Sequence, residues 1–80
     1  MKMTNNQQKN FLKELANLGL QGNILATHYN KYSRIYTCFF VCDDLSKKIV
    51  YAKKPLDNRK PLTDVWFENT DTSINDFCGF

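Results

Sequence analysis

Three cysteines, Cys38, Cys42 and Cys78, and the single histidine, His28, are the side chains of this sequence best suited to chemistry. Together they could offer three thiolates and one imidazole to a zinc ion, or a cysteine nucleophile with its base. Their spacing argues against both. Structural zinc sites draw close cysteine pairs from turns, whereas Cys38 and Cys42 fall inside the run 34–42, which reads as a strand. Four strand residues at about 3.3 Å each hold them roughly 13 Å apart, too far to share one ion or to bridge. A turn centred on Tyr32 sets His28 opposite Arg34 or Ile35, away from Cys38. An odd cysteine count fits a disulfide framework poorly, so three thiols in a reducing, cytoplasmic setting are expected. There is no Gly-rich phosphate loop and no pair of carboxylates in contrasting surroundings. The expectation is therefore a protein with no catalytic residues, no metal and no cofactor.

Charge offers a second kind of chemistry. All eleven Lys and Arg residues lie between Lys2 and Lys60, against four acids there, a net +7. Residues 61–80 carry Asp64, Glu68, Asp71 and Asp76 and no cation, a net −4. Such polarity suggests a charged binding surface or a tail folded back on one. Lys53, Lys54, Arg59 and Lys60 crowd one short stretch, and Lys47 and Lys48 lie near them across a hairpin. These six cations could contact phosphates, with Tyr29, Tyr32, Tyr36 and Tyr51 stacking on bases, as in single-strand binders. A solubilising loop is the plainer and favoured interpretation. The tail from Asp64 onward is acidic and aromatic and could dock on a basic groove of a partner. Here too the plainer expectation is a solvated edge with Trp66 and Phe67 turned into the core.

The function expected first is a small non-enzymatic regulator or inhibitor that covers a site on a target protein. Its contact surface is expected around one turn, at Tyr29, Lys31, Tyr32, Arg34 and Tyr36, because tyrosine gives large contact area at low rotamer cost. Nucleic acid is the alternative partner, through the basic hairpin and loop. Nine Asn residues and the preference for Lys over Arg suggest an AT-rich coding sequence, common in bacteria and phages. A monomer or a homodimer is expected, with no membrane association: the N-terminus lacks the apolar stretch of a signal peptide, and no apolar run reaches the length of a span.

The elements that must position these residues follow from periodicity. Phe11, Leu12, Leu15 and Leu18 recur at helical spacing, predicting an amphipathic helix over 4–18, capped by Thr4, Asn5 or Asn6 and stopped by Gly19. Strands are predicted over 23–29, 34–42 and 48–54, with turns at 30–33 and 43–47. Pro55 and Pro61 bound an exposed loop, and Val65, Trp66 and Phe67 suggest a fourth short strand. Residues 69–75 read as irregular. The fold class is α+β: an N-terminal helix packed on a three- to four-stranded antiparallel β-meander. The chain forms one domain over 1–80, with 1–4 and about 69–80 expected to be flexible.

The strand 34–42 is apolar on both faces: Ile35, Thr37, Phe39 and Val41 on one, Tyr36, Cys38, Phe40 and Cys42 on the other. One helix can cover only one side of a small sheet. The second side needs the segment 65–80, a second copy or a target protein, and folding back of the segment is favoured.

Overall fold

The computed structural model describes residues 3–57 and 59–78; Met1, Lys2, Asn58, Gly79 and Phe80, parts of the expected flexible ends and basic loop, lie outside them. The chain opens with helix α1 (Asn5–Asn17). Thr4 caps it: its hydroxyl accepts from the Gln7 N–H at 3.1 Å, and the Gln7 side chain accepts from the Thr4 N–H at 3.2 Å. Two orphan donors of the first turn are thereby satisfied reciprocally. At the far end the Gly19 N–H donates to Ala16 O and the Leu20 N–H to Leu15 O, both at 2.9 Å. Gly19 has φ +87°, the left-handed conformation this closing motif requires.

Four strands follow: β1 (Gly22–Asn30), β2 (Ile35–Cys42), β3 (Lys47–Lys53) and β4 (Thr63–Asn69). They pair antiparallel in the order β1-β2-β3-β4, so the expected meander has its fourth strand. Cross-strand partners share a face of the sheet. On one face Tyr36, Cys38, Phe40 and Cys42 of β2 join Val50 and Ala52 of β3. Phe11 and Leu15 of α1 close over them with Leu20 and Leu62, and this cluster is the main core. Burial of Phe11 and Leu15 contributes about 1.5–3 kcal/mol each, which fastens α1 to the sheet.

The second face is covered by the end of the chain. Residues 69–75 were expected to be irregular, but a short helix α2 begins within them, at Ile74–Cys78. It lies against β1, and Phe77 packs on Phe39 with ring centroids 5.6 Å apart. Both rings are buried. Sequence periodicity missed α2 because five residues give too little repeat to register. The cover is partial: Ile35, Thr37 and Tyr51 of this face remain half-buried, and Trp66, stacked on Tyr51 at 5.1 Å, is 42% exposed.

Candidate functional site

His28 does not meet Cys38. Thr27 pairs with Cys38, and His28 with Thr37, so His28 and Cys38 point to opposite faces. His28 lies opposite Thr37 rather than Arg34 or Ile35, because the β1–β2 turn occupies 31–34, one residue later than 30–33, and each residue of shift moves the cross-strand partner by two. Cys38 and Cys42 are buried and Cys78 is exposed; all three are free thiols. Among the described residues no group of three or more His, Cys, Asp or Glu side chains could hold a metal ion.

Burial pushes the Cys38 thiol up to about 11, against a small opposing contribution from its hydrogen bond with Thr27. Folding therefore favours the neutral thiol. Its stabilising effect is complete below about pH 9, where the unfolded thiol begins to ionise, and is lost as pH rises to about 11. Two pKa units correspond to on the order of 2–3 kcal/mol. Tyr51, raised to about 12 by burial and by its hydrogen bond to Glu68, extends the same trend to higher pH. Urea titrations under reducing conditions should show stability falling between pH 9 and 11. Cys38→Ala should be less stable at neutral pH but flatter across that window; an equal slope in the variant would assign the effect elsewhere.

The meander arranges the charges. Its odd connections, the β1–β2 turn and the β3–β4 loop, emerge at the same end of the sheet. Lys31 and Arg34 from the turn thus meet Lys53 at the end of β3 and Lys54, Arg59 and Lys60 from the loop, with Asp57 as the one acid in the turn and the loop. The segments are tied directly: the Lys54 N–H donates to Arg34 O at 2.7 Å. Asn30 shapes the turn, its side-chain oxygen accepting from the Tyr32 N–H at 2.9 Å and the Ser33 N–H at 3.2 Å. Arg34 closes it at φ 60°, left-handed backbone that costs a non-glycine residue roughly 1–2 kcal/mol. In the loop, Asp57 accepts from Arg59 Nε and Nη2, both at 3.1 Å, and the guanidinium holds the Asp57 carboxyl below the usual carboxylate range. Two apolar side chains stand among the cations: Tyr32, 87% exposed with the Lys31 ammonium 5.3 Å from its ring centre, and Leu56, 85% exposed.

Three expectations need correction. Tyr36 is fully buried under α1, its ring 4.7 Å from that of the half-buried Tyr29, so it is not available to a partner in the folded chain. Lys47 and Lys48 do not join the other cations. They begin β3 while Lys53 ends it, and six strand residues at about 3.3 Å place them roughly 20 Å away. They sit instead beside Asp43 and Asp44, where a groove of about 370 Å³ is lined by Leu20, Cys42, Asp43, Asp44 and Lys48 among others. Trp66 and Phe67 do not turn into the core: they are 42% and 36% exposed on the outermost strand. Leu56 carries no sequence expectation; the available signal is its place after Pro55, with two cations on either side.

No known family model, curated protein or solved structure matches this chain. Among the described residues no helix is long and apolar enough to cross a membrane.

Proposed function

We propose that this is a binding protein that acts without chemistry, covering an acidic site on a target protein with the basic end of its sheet. Lys31, Arg34, Lys53, Lys54 and Lys60 supply the complementary charge, and Tyr32 and Leu56 supply apolar anchors. The observation that carries this reading is the meeting of two basic segments, distant in sequence, around two side chains almost fully open to water. An apolar centre with a charged surround suits a protein surface, where aromatic anchors hold and charges steer. Binding of single-stranded nucleic acid would require several open rings for successive bases. Of the four tyrosines, Tyr36 is buried, Tyr29 and Tyr51 are half-buried, and only Tyr32 stands free.

The strained turn separates stability from binding. Glycine suits φ 60° better than arginine does, so Arg34→Gly should stabilise the fold by about 1 kcal/mol. The same change should weaken the target complex. Affinity capture from the source cells, using the wild type and a folded Arg34→Glu/Lys54→Glu/Lys60→Glu variant, tests the reading. A protein captured in stoichiometric amount by the wild type and lost by the variant supports it. Nucleic acid recovered alone, or a protein partner retained by the variant, refutes it.

A further inference from the structure

We propose that the outer edge of β4 is a strand-addition site for an extended peptide segment that alternates basic and apolar side chains. This surface is separate from the basic end and does not depend on it. Among the described residues β4 is the last strand of the sheet, paired with β3 and with no other strand. Its outward backbone donors and acceptors are therefore offered to a further strand, the row of groups through which extended peptides join sheets.

The residues of β4 set the chemistry of the occupant. Trp66 pairs with Tyr51 and Glu68 with Ile49, so both lie on the face away from α1, while Phe67 pairs with Val50 on the helix side. An added strand meets Trp66 and Glu68 on one face and Phe67 and Val65 on the other. Lysine or arginine on the first face would gain an ion pair with Glu68 and a cation–π contact with Trp66. Glu68 is already oriented by the Tyr51 hydroxyl, which donates to it. Apolar side chains on the second face would extend the row of Val65 and Phe67. The ring of Phe67 already has the Lys48 ammonium 5.9 Å from its centre on the inner side.

The same charges disfavour a second copy. Two β4 strands side by side would bring Asp64 and Glu68 of each together, and residues 61–80 contain no cation to offset them. The bulge where β4 departs from β3, between the pairs Tyr51–Trp66 and Lys53–Thr63, limits regular pairing to 66–69. The other edge, β1, offers no charge to select such a peptide: no Asp, Glu, Lys or Arg lies along it.

The probe is an acetylated, amidated seven-residue peptide of alternating lysine and valine, titrated into the whole chain and followed by amide NMR shifts. Saturable changes centred on 63–69 are expected. Affinity should fall at least tenfold for alternating glutamate and valine, and for the lysine peptide N-methylated at alternate amides, made in both phases so that either edge is blocked. Glu68→Lys should reverse the preference between the two charged peptides. The methylated peptides keep the test decisive should that variant fail to fold. The proposal is overturned by an absence of saturable binding, by equal binding of the methylated peptides, by shifts centred elsewhere, or by β4-mediated dimerisation without peptide.

Discussion

Phe11→Ala is expected to remove a large share of this domain's stability. Phe11 is fully buried and projects from α1 into the cluster of Tyr36, Cys38 and Phe40. Removing a ring from such a site costs about 3–5 kcal/mol, from lost transfer energy and from the cavity left behind. Eighty residues at about 0.05–0.15 kcal/mol each leave a total stability of only 4–12 kcal/mol. The cost is also structural, because α1 roofs this face and two buried apolar side chains hold it there. Urea unfolding followed by far-ultraviolet circular dichroism checks this, with Leu12→Ala as the partner experiment. Leu12 is the next residue and is exposed, so its loss should cost under about 1 kcal/mol. Equal losses at the two positions would mean that α1 does not pack on the sheet through the Phe11 side.

Gly22→Ala is also expected to be strongly destabilising, although it adds only one methyl group. A Cβ at Gly22 would stand 2.0 Å from the carbonyl oxygen of Val41 and 2.6 Å from the Cα of Cys42. Both are backbone atoms and cannot rotate away. The first residues of β1 would have to separate from β2, opening the Gly22–Cys42 pair and straining the adjacent bond from the Asp43 N–H to Gln21 O. Overpacking of this kind costs about 3 kcal/mol. Gly19→Ala provides the contrast. A Cβ there meets nothing within 4 Å, so its cost comes from the backbone alone, about 1–2 kcal/mol at φ +87°. Thermal unfolding of the two variants should rank Gly22→Ala below Gly19→Ala; the reverse order would mean that β1 yields at this end at little cost.

Much of the architecture is legible in the amino-acid sequence, for local reasons. Thr4 and Gln7 announce a helix start, and Gly19 a stop, through bonds made within a few residues. The strand around Phe39 declares itself by β-branched and aromatic density, and its two apolar faces require two covers. The roof of the second face was expected from the end of the chain, and Phe77 provides it, though as a helix rather than an irregular segment. The candidate site was legible only in pieces. The tyrosine turn and the basic loop were read as rival surfaces for rival partners, and the hairpin lysines were grouped with the loop.

What the amino-acid sequence determined alone is the set of elements and the partition of each strand into faces, because hydrogen bonding and side-chain alternation act over a few residues. Which face α1 would roof was left to the tertiary structure, and its choice removed Tyr36 from the surface and pushed the Cys38 thiol upward. The ends were decided in the same way. In a meander, alternate connections return to the same end of the sheet, so Lys31 and Arg34 meet Lys54 and Lys60 while Lys47 and Lys48 are carried to the far end. Distance along the chain cannot report this, because a strand reverses direction at every turn and places residues by parity rather than by proximity in sequence.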